Sequence, residues 1–98
     1  MKTKHIFEIH AEGLQKEYLA LLQEIREGAN LKKYRAATNC GCSPQTVSYV
    51  ERGDRGVSLI MASQLALGIG RLPSRVMGEA EDRIGLPELL ENLPCGES

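Results

Sequence analysis

The stretch GCSPQTVSYVERG, residues 41–53, carries the signals for the start and the end of one short helix. Ser43 followed by Pro44 is typical of a helix start, because serine can cap the first turn and proline lacks only an N–H that this turn leaves unpaired. Gly53 is typical of a helix end, since glycine tolerates the left-handed backbone that often follows the last turn. The stretch therefore predicts a helix over residues 44–52.

A second short helix is predicted directly before it, over residues 32–39. Ala36, Ala37 and Cys40 are small and are predicted to face inward, which lets the following helix cross close to them. Gly41 supplies a turn residue that tolerates a positive φ. Two short helices joined by a tight glycine turn form a helix-turn-helix arrangement.

The helix over residues 44–52 has an apolar face and a polar face. Val47 and Val50 are predicted to anchor its inner face in the core. The side chains of its outer face are polar or hydrogen-bonding and suit the major groove of DNA. They belong to Pro44, Gln45, Ser48, Tyr49 and Arg52.

The rest of the chain predicts further helices. A helix between Gly13 and Gly28 is indicated by an apolar stripe at Leu14, Tyr18, Leu21, Leu22 and Ile25. A helix capped by Ser58 is indicated by a stripe at Leu59, Ala62, Leu65, Ala66 and Ile69. A short helix is predicted from Pro73 to about Met77, and residues 86–93 suggest one or two amphipathic turns. The predicted fold class is all-α, a compact bundle of about five short helices.

The composition fits one small globular domain. The chain has 98 residues, of which 42% are hydrophobic, 26% charged and 4% aromatic, and it can bury one modest core. No apolar run reaches the roughly 20 residues of a membrane-spanning helix, and the N-terminus lacks the apolar segment of a signal peptide. The three cysteines are expected to be reduced thiols. These features favour a cytoplasmic protein.

Charge is unevenly distributed along the chain. Its net charge is −1, yet residues 14–77 carry nine Lys/Arg against five acidic residues, and residues 78–98 carry one Arg against six acidic residues. A basic body with an acidic tail keeps nucleic acid open as a partner. We expect an N-terminal arm over residues 1–13 (a strand, a helix or a disordered arm), a helix-turn-helix DNA-binding domain over residues 14–77, and an acidic C-terminal tail over residues 78–98, a candidate dimer or partner segment.

Residues 33–53, with the helix that follows them, resemble the lambda-repressor/Cro-like helix-turn-helix family, often called the XRE family. GCSPQTVSYVERG is similar to the family's usual run of glycine, an apolar residue, serine, two variable residues, Thr-Ile-Ser, a variable residue and Ile-Glu-Arg-Gly. SLIMASQLALGIGRLPSRVM, residues 58–77, is similar to the family's fourth and fifth helices. The resemblance covers residues 14–77.

The resemblance implies a role for each matching residue. The base-reading side chains would be Pro44, Gln45, Thr46, Ser48 and Tyr49, and the phosphate-binding ones Lys32, Lys33, Ser43, Arg52 and Arg55. Gln45 can pair bidentately with adenine, so an A·T pair is expected at its contact. Tyr49 has a second interpretation, in which its ring is partly buried against the first helix. Lys33 departs from the family's usual glutamine, and Leu72 departs from a small capping residue before Pro73.

Cys40 and Cys42 allow two interpretations, a metal or redox device or an apolar filling behind the turn. The resemblance favours the second, because apolar side chains occupy these two positions in the family. A structural zinc site needs four ligands, and Cys95, His5 and His10 have no partner at ligand spacing. We therefore expect no metal and no cofactor.

The expected function is a sequence-specific DNA-binding transcriptional regulator. It would repress its own or a neighbouring operon, of phage, prophage or similar origin, and bind an inverted-repeat operator in double-stranded DNA as a homodimer. Its dimer or partner surface is expected at Leu72, Val76, Met77, Ile84, Leu86, Leu89, Leu90 and Leu93. An alternative is the antitoxin of a toxin–antitoxin pair, whose N-terminal arm or acidic tail binds the toxin. An enzyme is not expected, because the chain has no Ser-His-Asp set and no phosphate-binding glycine loop.

Overall fold

The computed structural model describes residues 5–53 and 57–92, which form six helices and contain no strand. The helices are α1 (Ile6–Gly28), α2 (Lys33–Cys40), α3 (Pro44–Arg52), α4 (Leu59–Gly68), α5 (Pro73–Arg83) and α6 (Leu86–Asn92). The predicted all-α class is confirmed. None of these helices is long and apolar enough to cross a membrane.

α1 is longer than the sequence predicts. It begins at Ile6, where Nδ1 of His5 accepts a hydrogen bond from the backbone N–H of Phe7 at 3.0 Å. Gly13 lies inside the helix, where it costs about 1 kcal/mol relative to alanine. Of the alternatives that the sequence left open for this segment, the structure shows a helix over residues 6–13.

The core is built around α1, which packs against α3, α4 and α5, while α2 packs against α3 and α4. The buried residues of α1 are Tyr18, Leu19, Leu21, Leu22 and Arg26. The buried residues of the other helices, mostly small, are Ala36, Ala37, Val47, Val50, Ala62, Leu65, Ala66, Val76 and Ala80. Small side chains let these short helices cross at close range.

One residue of the predicted α4 stripe does not reach the core. Leu59 is 71% exposed, whereas Ala62, Leu65 and Ala66 are buried as predicted. Leu59 is the first residue of α4 and lies on the wall of a surface groove that no other helix of the described chain fills. The apolar stripe of α4 therefore begins one turn before the part of the helix that packs in the core.

α5 is also longer than the sequence predicts. It runs through Gly78 to Arg83, so the predicted end at Met77 is wrong. Val76 and Ala80 lie one turn apart and are both buried against the bundle. This packing stabilises α5 across Gly78, although a glycine often ends a helix that is exposed to solvent.

Arg83 ties the end of α5 to α1. Its guanidinium binds the carboxylates of Glu17 at 3.1 Å, Glu24 at 3.0 Å and Glu79 at 3.4 Å. The hydrogen bond from Arg83 lowers the pKa of Glu24. Arg83, the single arginine of residues 78–98, therefore holds the end of α5 against α1. α6 packs on α5 and contains no buried residue.

Candidate nucleic-acid interface

The turn between α2 and α3 is built on Gly41, as predicted. Gly41 has a φ of +75°, in the left-handed region. Its backbone N–H donates to the carbonyl of Thr38 at 3.2 Å, and the N–H of Cys42 donates to the carbonyl of Ala37 at 2.9 Å. These two bonds satisfy carbonyls at the end of α2 and direct the chain into α3. The position of α3 therefore depends on a residue that adopts a positive φ without strain.

α3 starts with a capped first turn. The Ser43 hydroxyl accepts a hydrogen bond from the backbone N–H of Thr46 at 3.2 Å and lies 3.0 Å from the Thr46 hydroxyl. Pro44 occupies the first turn, where its missing N–H leaves no intrahelical bond unmade. Ser43, a predicted phosphate-binding residue, thus fixes the helix end from which helix-turn-helix domains contact bases.

The outer face of α3 carries the predicted base-reading residues. Val47 and Val50 are buried beneath it, so the predicted inner face is confirmed. Pro44 and Gln45 are exposed, and the half-buried members of the set are Thr46, Ser48 and Tyr49. Gln45 is the exposed side chain of this set that can both donate and accept hydrogen bonds.

Tyr49 is flanked by Arg52 on the same helix. The Cζ atom of Arg52 lies 5.9 Å from the centroid of the Tyr49 ring, within reach of a cation–π interaction. Because the ring is half-buried, it remains compatible with both interpretations of Tyr49, base contact and partial burial. The contact places a predicted phosphate-binding arginine beside Tyr49 at the C-terminal end of α3.

Lys33 connects the start of α2 to the middle of α3. Its Nζ atom donates a hydrogen bond to Oγ of Ser48 at 3.0 Å. Lys32 precedes α2, is exposed, and makes no side-chain cap with the first turn. The structure therefore brings a predicted phosphate-binding residue and a predicted base-reading residue together. Arg55 lies outside the described residues.

A buried ion pair holds α3 against α1. Nε of Arg26 donates to Oε2 of Glu51 at 2.6 Å, and Nη2 donates to Oε1 at 3.1 Å. A third donor of Arg26, Nη1, binds the carbonyl of Leu31 at 2.8 Å, in the link between α1 and α2. The two side chains are 8% and 4% exposed, and the Glu51 carboxylate raises the pKa of Arg26. Glu51 therefore faces the protein interior, although it lies on the helix expected to read DNA.

Arg26 was not among the predicted site residues, although the sequence contains a signal for it. It lies four residues after Leu22, at a position where the apolar stripe of α1 must face the core. A charged side chain at a core position requires a partner of opposite charge, because an unpaired buried charge is costly. The acidic residue in the run Glu51-Arg52-Gly53 supplies this partner.

A comparison with protein families agrees with this geometry. The family model described as helix-turn-helix matches residues 22–74, more than half of the chain. The chain belongs to this family. It comprises the lambda-repressor/Cro-like, XRE-type DNA-binding regulators, so the resemblance seen in the sequence is confirmed. Searches of curated proteins and of solved structures found no match.

The two cysteines at the family's turn lie behind it. Cys40 and Cys42 are free, half-buried thiols that pack against the core. Burial raises the pKa of the Cys40 thiol, and the neighbouring Cys42 raises it further. This placement agrees with an apolar filling. Across residues 5–53 and 57–92, no group of three His, Cys, Asp or Glu side chains is arranged to hold a metal ion.

Gly68 lies at a close contact between α4 and α2, and no role was predicted for it from the sequence. A Cβ at this position would overlap Sγ of Cys40 and lie 3.3 Å from the Cys40 backbone nitrogen. The side-chain amide of Asn39 donates to the Gly68 carbonyl at 3.0 Å. α2 and α4 therefore meet at a point where only glycine fits. The sequence signal was a glycine inside a helix-forming run.

The predicted dimer or partner surface is only partly accessible. Val76 is 2% exposed and belongs to the core of the single chain, which corrects its assignment to this surface, and Met77 packs against the same core. Leu72 and Leu90 are each 57% exposed. The half-buried members are Ile84, Leu86 and Leu89. Leu93 lies outside the described residues.

Proposed function

We propose that this regulator represses its own or a neighbouring operon by binding an inverted-repeat operator as a homodimer. The observation that carries the proposal is the fixed presentation of Gln45 on α3. This helix is capped by Ser43 at its start and held near its end by the Arg26–Glu51 ion pair. A side chain can distinguish base pairs when the element that carries it is held rigidly.

Gln45 supplies the central base contact of the proposal. Its amide offers a donor and an acceptor side by side, which match N7 and N6 of adenine in the major groove. Tyr49, one turn further along α3, would make the second contact with a base edge or a thymine methyl group. Pro44, Thr46 and Ser48 would lie at the groove floor or beside flanking phosphates.

Lys33 and the start of α2 would bind a phosphate. The first turn of α2 has no side-chain cap, and the unpaired N–H groups of a helix start attract anions. The Lys33 ammonium has three donors, so it can keep its bond to Ser48 and still contact a phosphate oxygen. Lys32, Arg52 and Arg55 would add further phosphate contacts.

A homodimer is proposed because one α3 spans too few base pairs to define a specific site. Dimers of helix-turn-helix domains place their recognition helices about 34 Å apart, one turn of DNA, so the operator is an inverted repeat. Such a protein would act in the cytoplasm, where the operator is. The fold and the family match add no support for the antitoxin alternative.

The test is selection of bound duplexes from a random-sequence pool, by the full-length protein at two salt concentrations. The wild type should enrich an inverted repeat, and Gln45→Ala should lose preference at one position of each half-site, by about 1–3 kcal/mol. Gln23→Ala removes a surface glutamine on α1, which binds Glu27, and should enrich the wild-type sequence. If nothing enriches and binding disappears at modest salt, the contact is phosphate attraction alone and the proposal is wrong.

The same selection with Lys33→Ala separates phosphate binding from base reading. This variant should weaken binding to all sequences alike and reduce the slope of log affinity against log salt by about 1. A changed base preference in Lys33→Ala would contradict its assignment to a phosphate.

A further inference from the structure

The first two turns of α1 carry large apolar side chains that are exposed in the described chain. Ile6, Phe7 and Ile9 are 48–52% exposed, and at about 100° per residue they lie within one half of the helix surface. Residues 6–13 extend about 12 Å beyond Leu14, the first residue of α1 that packs against the core. An exposed face of large apolar side chains on one helix is typical of a segment that is buried in an assembly. We call residues 6–13 the α1 overhang.

A groove beside the α1 overhang has the size and the lining for an apolar side chain. It has a volume of about 220 Å³ and lies between α1, the start of α4 and Met77 of α5. Leu14 and Tyr18 of α1 and Leu59 of α4 are among the residues that line it. Phe7 and Ala11 precede Leu14 and Tyr18 at helical spacing, so the protruding phenyl ring and the groove lie on one face of the same helix.

We infer that the α1 overhang packs antiparallel against the α1 overhang of a second copy, with Phe7 of each chain in the groove of the other. The inference rests on the proposed homodimer and places its contact away from the tail. A two-fold interface requires a patch that is complementary to itself, and a ring beside a groove provides one. With the axis near Ala11, a small residue lies where the two helices cross, and Phe7 lies level with the groove.

The length of α1 supports a second copy as the occupant. α3 is attached to α1 between Leu19, which lies near Gly53, and Arg26, which binds Glu51. The middle of this attachment is 11 or 12 residues from Ala11, about 17 Å at 1.5 Å per residue. A two-fold axis at Ala11 therefore separates the two attachment points by about 34 Å, which is the spacing of adjacent major grooves on one face of DNA.

The directions of the side chains agree with this arrangement. At about 100° per residue, Phe7 and Ala11 face roughly a quarter turn away from the Leu19 and Arg26 side that holds α3. Two α1 helices placed side by side through the Phe7 face therefore carry both α3 helices on the same side of the pair. Two recognition helices on one side are what a single duplex requires.

The first test is sedimentation equilibrium of the full-length protein, comparing wild type, Phe7→Glu and Leu90→Glu. Phe7→Glu should raise the dimer dissociation constant by about 30-fold or more, as for an interface hot spot. Leu90→Glu alters an equally exposed leucine of the tail and should leave the constant within about 3-fold of the wild type. Circular dichroism and thermal unfolding check that both variants fold. A dimer broken by Leu90→Glu and not by Phe7→Glu would overturn the inference.

The second test uses a variant that leaves Phe7 in place. Ala11→Cys, oxidised with diamide, should form a disulfide between the two copies at residue 11, because a two-fold axis there brings the two Cα atoms within about 7 Å. Ala29→Cys, at the other end of α1, should form no such link. The 11–11 peptide is identified by mass spectrometry. A wild-type dimer without this peptide in Ala11→Cys would contradict the inference.

Failure of the inference and failure of the proposed function give different results. If the wild type enriches an inverted repeat and Phe7→Glu binds it with equal affinity, the α1 contact is wrong and the operator-binding function stands. If the wild type enriches no sequence, the proposed function itself fails, whatever the state of association.

Discussion

Glu51 belongs to the run that marks the family, yet its carboxylate binds Arg26 inside the protein. A buried ion pair adds little net stability compared with a well-packed apolar pair, because both charges are removed from water. Removal of one partner is costly, since the other charge then stays buried alone. The pair therefore specifies the position of α3 relative to α1 and to the Leu31 carbonyl.

Glu51→Gln should lower the free energy of unfolding by about 3 kcal/mol, because Arg26 loses its buried counter-charge. Glu27→Gln is the matched control: Glu27 also lies near Arg26, at 3.5 Å, but its side chain is 57% exposed. This control should change the free energy of unfolding by less than about 0.5 kcal/mol. Urea denaturation measures both, and equal effects of the two variants would contradict a special role for Glu51.

At the scale of elements, the site depends on how α2 and α4 pack beneath α3. α2 is only eight residues long and has two fully buried side chains, Ala36 and Ala37. Such a short helix is not stable by itself and is held by its packing. Its close approach to α4 at Gly68 lets the small residues of both helices touch, so this contact positions the turn and α3.

Gly68→Ala should lower the free energy of unfolding by about 1–3 kcal/mol, because the added methyl group forces Cys40 away from α4. Gly78→Ala should raise it by about 0.5–1 kcal/mol, since this glycine lies in α5 with no atom near the Cβ position. Combining Gly68→Ala with Cys40→Ala should recover part of the loss. Thermal unfolding followed by circular dichroism gives the order of the variants; a Gly68→Ala protein as stable as Gly78→Ala would refute the close contact.

At the scale of the whole molecule, opposite charges join the acidic tail to the basic body. Arg83 binds Glu17 and Glu24 of α1, which lie 66 and 59 positions before it in the sequence. These groups are partly or largely exposed, so salt screens their attraction. Through this contact α5 is held against α1, and α6, which carries further acidic residues of the tail, packs on α5.

Arg83→Gln should lower stability slightly at neutral pH, and the difference from the wild type should vanish in acid. Arg83 lowers the pKa of Glu24 in the folded state. The contribution of Glu24 is therefore present above the ordinary glutamate pKa, about 4.3, and is lost as the pH falls through the lower, folded-state value. Thermal unfolding from pH 7 to pH 3, with and without 1 M salt, measures it.

Arg75→Gln, on the exposed side of the same helix, is the control for this prediction. It removes the same charge from α5 without touching the Arg83 cluster. Its unfolding temperature should differ from the wild type by an amount that is smaller and independent of pH. A gap between Arg83→Gln and the wild type that widens in acid would contradict the assigned sign.

Much of the fold and of the candidate site follows from the sequence, because local chemistry determines it. Ser43-Pro44 and Gly53 define both ends of α3 through capping and backbone preference, and these act over only a few residues. Gly41 marks the turn for the same reason. Val47 and Val50 mark the buried face of α3 through helical periodicity, and this leaves the outer face for the predicted base-reading residues.

The tertiary structure decided what depends on residues far apart in the chain. Whether α5 passes through Gly78 depends on the long-range packing of Val76 and Ala80, which outweighs the local cost of a glycine. The burial of Arg26 against Glu51 depends on α1 and α3 meeting. The need for glycine at position 68 depends on the crossing of α2 and α4. Each of these outcomes depends on contacts with residues of other helices, and the sequence of one segment does not reveal those contacts. Capping and periodicity, in contrast, depend only on the segment itself.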